Sequence, residues 1–212
     1  VFDKLPAQLE EDPHRFTFAA LREKARYSQY DRDFLWLVNA GAALAVRQAT
    51  EAKTPLKRTE LPERFKLYQS DTGMLLSRYP QSTARAVYLD RASQNLGGIY
   101  ENAIAQELAA AGVPLWYYAA EGVGEVDFLM EGKGGRVVPI EVKSGRKIRS
   151  HAALDRLLGI GEYKIRDAIV LSRNQLERDG RILYVPLYLA SCLDEFADRN
   201  SGDFSFAPIA LK

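Results

Sequence analysis

Apolar and polar positions alternate along this chain with two different periods, and the change of period marks its elements. Between Phe16 and Gly41 the residues favour helix: Ala19, Ala20, Glu23, Lys24 and Arg26 are good helix formers. Asp31 or Asp33 is placed to cap a second helix through Phe34, Leu35, Trp36, Leu37 and Val38 that stops at Gly41. Ala42 to Val46 then reads as a strand, Glu51 to Pro62 as a polar loop or wing, and Phe65 to Tyr68 as a second strand. Asp71, Thr72 and Gly73 mark a helix start or a tight turn, and Pro80 to Ser93 a mixed connector. From Leu96 to Ala111 the apolar residues Ile104, Ala105 and Leu108 fall on one stripe, which predicts a helix ending at Gly112.

Beyond it, Val113 to Tyr118 is an aromatic strand. Gly124 to Met130 and Val137 to Ser144 are two short apolar strands joined by a glycine-rich turn. Ser150 is placed to cap a helix reaching about Tyr163. Ala168 to Leu171 and Ile182 to Pro186 are strands on either side of a polar stretch, and Leu187 to Phe196 is a closing helix. The pattern predicts an α/β or α+β layered fold. The expected organisation is a helical, winged-helix-like region over residues 1–90, followed by a core of mixed sheet flanked by helices over 91–212.

Composition narrows the classes. With 47% hydrophobic residues in 212 the chain can build a core, and a net charge of +1 gives no overall steering toward DNA or membrane. No apolar run reaches the roughly 18 residues of a membrane span. The single cysteine, Cys192, excludes an internal disulfide framework, fits a cytoplasmic protein, and is expected to pack the last helix. The sequence begins without Met and without a basic-then-apolar leader, so a fragment lacking a signal peptide is expected.

The candidate chemistry lies in the hairpin. Side chains alternate between the faces of a strand, so Glu141 and Lys143 share one face while Ile140 and Val142 share the other. In the preceding strand Asp127 shares a face with Glu125, and Val126, Phe128 and Met130 take the opposite one. Burying the apolar faces would bring Asp127, Glu141 and Lys143 together. Two carboxylates and a neighbouring backbone carbonyl suit Mg²⁺ or Mn²⁺. Lys143 would neutralise charge on a phosphoryl group or position a water. Glu101 falls on the apolar stripe of its helix and either reaches water at the stripe edge or joins the site as a third acid. The bland alternative for Glu141 and Lys143 is an exposed salt pattern on a sheet. Ser144, Arg146, Lys147 and Arg149 form a polar, basic run after the site, either a solvated loop or a phosphate contact. His151 is read as a solvated histidine or a phosphate donor. Lys53, Lys57 and Arg58 give the first-half loop either a DNA contact or a solvated surface.

Asp127, the run Ile140-Glu141-Val142-Lys143 and Glu101 on the preceding helix resemble the PD-(D/E)XK superfamily, the restriction-endonuclease-like nucleases. The wider series resembles the C-terminal DUF4143 region of AAA-type ATPases. It comprises Arg26-Tyr27, Phe34 to Gly41, Phe65 to Tyr68, Asp71 to Leu75, Tyr100-Glu101-Asn102, Glu125 to Phe128 and Pro139 to Lys143, roughly Phe16 to Phe196. The resemblance implies a nuclease-like core with Asp127, Glu141 and Glu101 as ligands to Mg²⁺ or Mn²⁺ and Lys143 as catalytic lysine. It further implies DNA as partner and an upstream ATPase domain in the full-length protein. Val126 stands where the superfamily's name places a proline. The chain has no Gly-x-x-x-x-Gly-Lys-Ser/Thr and so no ATP site of that kind. Two functions are expected from this pattern: metal-dependent hydrolysis of DNA, or a catalytically silent module coupling the ATPase to a protein or DNA partner.

Overall fold

A computed structural model describes residues 5–10, 16, 27–89, 96–132, 134–145 and 148–193. Helices α1 (Leu5–Glu10) and α2 (Tyr27–Asn39) precede strands β1 (Ala43–Ala49) and β2 (Glu60–Gln69), which are joined through a 3-10 turn at Leu56–Thr59. Helices α3 (Thr72–Leu76), α4 (Gln81–Tyr88) and α5 (Gly97–Ala110) follow. Then come β3 (Trp116–Ala120), β4 (Gly124–Gly132) and β5 (Arg136–Val142). Helix α6 (Ala152–Leu158), β6 (Ala168–Ser172), β7 (Glu177–Asp179), β8 (Ile182–Pro186) and a 3-10 helix at Leu187–Cys192 complete the described chain.

The eight strands among the described residues form one mixed sheet in the order β2-β1-β3-β4-β5-β6-β8-β7. The pairs β1–β3, β5–β6 and β6–β8 are parallel and the remaining ones antiparallel. The strands from either side of residue 90 therefore hydrogen-bond into a single sheet, β1 lying beside β3. Helix α5 and the 3-10 helix at Leu187–Cys192 cover one face over a core that includes Val46, Tyr68, Phe128, Ile140 and Leu183. Helix α6 closes the other face over Val126, Leu129, Val170 and Tyr184 through Leu154 and Leu157. This is a helix–sheet–helix layering, the α/β class that the pattern predicts. No helix among the described residues is long and apolar enough to cross a membrane.

Several local expectations change. Helix α2 begins at Tyr27, a turn before Asp31, because its stripe of partly buried Tyr30 and buried Phe34 and Leu37 extends the apolar face backward past the expected caps. The stretch after Pro80 is helix α4 rather than an irregular connector. It buries none of its residues fully, so no apolar stripe announces it. Asp71 does cap α3, its Oδ1 accepting from Met74 N at 2.6 Å. Helix α6 starts after His151, whose side chain makes no capping bond, and ends at Leu158. The polar stretch before β8 contributes the short edge strand β7.

The approach of α1 to α5 is set by Gly98. A Cβ there would lie 2.0 Å from the carbonyl oxygen of Leu9, so only glycine lets the two helices meet.

Candidate functional site

Strand β2 carries Phe65 and Leu67 into an aromatic cluster with Phe16 and Phe34, and the alternate residues Lys66 and Tyr68 toward α5. Lys66 is fully buried. Its Nζ lies 2.8 Å from Glu125 Oε1, 3.2 Å from Glu101 Oε2 and 3.6 Å from Asp127 Oδ1. The Tyr117 ring stands 5.6 Å away. Tyr68 donates its hydroxyl to the same Glu101 oxygen at 2.9 Å. Glu101 thus turns inward toward the sheet rather than outward to water.

Helix α5 is locked in register with β2 by its neighbouring side chain. Asn102 accepts from Gln69 N at 2.7 Å and donates to Gln69 O at 3.0 Å, mimicking one rung of a β-ladder at the end of β2. One turn on, Gln106 accepts from both Thr72 N and Thr72 Oγ1. These bonds satisfy backbone groups that leave the sheet at its edge and fix the height at which Glu101 meets Lys66.

The hairpin of β4 and β5 forms as expected, with Phe128 opposite Ile140 and Leu129 opposite Pro139. One expectation is corrected. Val126 does not share a face with Phe128 and Met130: it packs with Leu129 in the α6-side core, while Phe128 and Met130 lie in the α5-side core. The register against β3 slips between Trp116–Leu129 and Tyr118–Val126, which gives β4 one extra residue there. Such a bulge breaks strict alternation, and Asp127 sits within it. Its Oδ1 faces Lys66, and its Oδ2 accepts from Val142 N at 2.8 Å, tying the bulge to β5. Glu125 and Asp127 converge on one ammonium, in keeping with a shared face.

Glu141 is buried and pairs with Lys143 at 2.7 Å, while its Oε2 is buried with no hydrogen-bond partner. Ser144 follows, half-buried. Arg146 and Lys147 lie outside the described residues. Arg149 is spanned by Glu177 at 2.7 Å and Asp179 at 2.8 Å and stacks on the Tyr184 ring at 5.1 Å. His151 is buried rather than solvated, bridging Asp155 Oδ1 and the Tyr184 hydroxyl, each at 2.9 Å. Cys192 packs beside the α5-side core.

Burial opposes the positive charge of Lys66, but the facing Glu101, Tyr68, Asp127 and Glu125 outweigh it and hold its pKa well above the ordinary lysine value. The same burial, with Glu101 and Glu141 nearby, pushes the Asp127 carboxyl well up, against the pull of Lys66 and the Val142 N–H. Glu141 is raised by burial and opposed by Lys143. Lys66 therefore remains an ammonium, while Asp127 and Glu141 keep their protons to higher pH than ordinary carboxyls do.

These positions do not fit a divalent ion as they stand. The place between Glu101, Glu125 and Asp127 is filled by the ammonium, and among the described residues no three His, Cys, Asp or Glu side chains are set to hold a metal. What the arrangement does is neutralise a buried acidic cluster. Sequence reading named Glu101 and Asp127 of this cluster and missed Glu125 as a member and Lys66 as its counter-ion. The available signal was a lysine inside Phe65-Lys66-Leu67-Tyr68, where apolar neighbours on both sides mark a strand buried on both faces.

No curated protein and no solved structure matches this chain. Residues 96–189, which run from the start of α5 past β8 and hold Glu101, Asp127, Glu141 and Lys143 but not Lys66, match the family model described as a domain of unknown function, DUF4143.

Proposed function

We propose that this chain is a nuclease-like module of the restriction-endonuclease type, catalytically silent as arranged, that couples an ATPase domain of its full-length protein to a DNA or protein partner. The observation that carries this reading is the Lys66 ammonium seated among Glu101, Glu125 and Asp127, where a hydrolytic site of this type would place its cation. The nuclease-like frame is supported by the hairpin that sets Asp127 beside β5, by Glu101 reaching in from α5, and by Lys143 two residues after Glu141. The coupling role and the winged-helix-like character of the first half rest on the resemblance. The test is incubation with supercoiled and single-stranded DNA in Mg²⁺ or Mn²⁺. Intact DNA, with or without binding, is expected. Cleavage that disappears in Asp127→Ala and Glu141→Ala defeats the silent reading.

Metal-dependent hydrolysis of DNA is the competing function. It draws on Glu141, whose buried, unpartnered Oε2 adjoins the half-buried Lys143. The same incubation decides between them.

A further inference from the structure

We infer that Lys66 is a resident counter-ion that keeps divalent cations out of the acidic cluster, and that loss of this single ammonium turns the cluster into a site for Mg²⁺ or Mn²⁺. The inference deepens the nuclease-like reading above and rests on it.

Asp127 and Glu101 are held in place by groups other than Lys66. Asp127 is anchored by Val142 N–H, and Glu101 by the Tyr68 hydroxyl and by the Asn102–Gln69 bonds that set the height of α5. Removing the ammonium therefore leaves the Asp127 and Glu101 carboxylates aimed at the place it occupied. It also removes the cation that Glu101, Glu125 and Asp127 share, while Lys143 is engaged with Glu141. Crowded carboxylates that lose a shared cation take up protons or another ion.

Two further features favour the ion. Lys66 is fully buried, so truncating it to alanine opens space inside the protein rather than at its surface. The buried Glu141 Oε2 has no hydrogen-bond partner, an acceptor that is already desolvated. Carboxylate oxygens with room for retained waters are what hard divalent ions bind. The cation identity of the site is thus set from β2, a strand outside the segment that carries the acids.

The experiment is Mn²⁺ titration of the whole chain, read by electron paramagnetic resonance and calorimetry without DNA. Wild type is expected to show no binding that depends on Glu101 or Asp127. Lys66→Ala is expected to bind one Mn²⁺ at least about a hundredfold more tightly than wild type, and to lose it in Lys66→Ala/Asp127→Asn. Wild-type Mn²⁺ binding abolished by Glu101→Gln or Asp127→Asn overturns the inference. So does a folded Lys66→Ala that binds no better than wild type. Should Lys66→Ala be unfolded in chelator, recovery of its circular dichroism on adding Mn²⁺ supports the inference. If it stays unfolded, the larger, uncharged Lys66→Gln takes its place under the same criteria. Wild-type Mn²⁺ binding that depends on Glu101 or Asp127, without DNA cleavage, removes this inference alone. Cleavage by wild type removes the silent reading.

Discussion

Lys66 Nζ lies 3.2 Å from Glu101 Oε2, and neither residue is open to solvent. The pair joins edge strand β2 to helix α5 through charge inside the core. Breaking a buried ion pair from one side leaves the other charge stranded, which costs about 3–5 kcal/mol. Lys66→Met, measured by urea unfolding in chelator, is expected to lose stability in that range. Glu101→Gln should lose less, because the glutamine amide oxygen would still accept from Tyr68. The double variant should be more stable than the sum of the two losses predicts, with a coupling above about 1 kcal/mol. Additive losses would mean that the two charges do not sense one another.

Asn102 supports that pairing from the next position of α5. Its side chain bonds both backbone groups of Gln69, a residue that is itself fully buried. Asn102→Ala should cost about 2–4 kcal/mol, since each unsatisfied buried polar group costs about 1–3 kcal/mol. Gln106→Ala, at a half-buried position, should cost about 1 kcal/mol. Equal effects in denaturant unfolding would contradict the weight given to Asn102.

The difference between these two residues and their neighbours explains how much the sequence discloses. Helix α5, the β4–β5 hairpin, β6 and β8 are legible because each has one clean period, 3.6 or 2, or a short apolar run between turn residues. Glu101, Asp127, Glu141 and Lys143 are legible because acids and a lysine interrupt those runs. The bulge that moves Val126 to the α6 side is not, because one extra residue in β4 leaves composition unchanged and shows only against β3. Helix α4 is hidden because it buries no complete stripe. Lys66 is hidden for a different reason. Its partners lie on β4 and α5, 35 residues and more away, and a lysine becomes a buried counter-ion only once the sheet order places β2 and β4 under the same helix.

The raised carboxyls predict a pH dependence. Unfolded Asp127 releases its proton near the ordinary carboxylate value of about 4, while the folded protein retains it to higher pH. The folded state then binds more protons, so stability falls as pH rises from about 4 through the raised value. Glu141 acts in the same sense. Lys66, also raised, adds stability that is fully present below its unfolded value of about 10.5 and lost as pH climbs through the folded one. Asp127→Asn removes the acidic window and keeps an oxygen for Val142 N–H. Its unfolding free energy should match or exceed that of wild type at pH 8 by about 1 kcal/mol and change less between pH 5 and pH 8. An unchanged dependence in the variant would show that Asp127 is ionised throughout.

Gly98 offers a test of the helix layer that is independent of charge. It lies three residues before Glu101 on the face of α5 that α1 covers, and an added methyl would meet the Leu9 carbonyl at 2.0 Å. A backbone carbonyl cannot rotate away as a side chain can, so Gly98→Ala must displace α1 or shift α5 along the sheet. Overpacking of this kind costs about 1–3 kcal/mol, against the gain of up to about 1 kcal/mol that alanine brings to an unconstrained helix position. The two displacements have different signatures. If α1 moves, protease cleavage near Leu5–Glu10 accelerates while the Lys66–Glu101 coupling is unchanged. If α5 moves, Glu101 loses its height above β2, and the coupling measured in the double-mutant cycle falls with it. The Asn102 and Gln106 bonds hold α5 to Gln69 and Thr72 independently of α1, so the first outcome is expected. A stabilised Gly98→Ala would show that α1 does not pack on α5 as described.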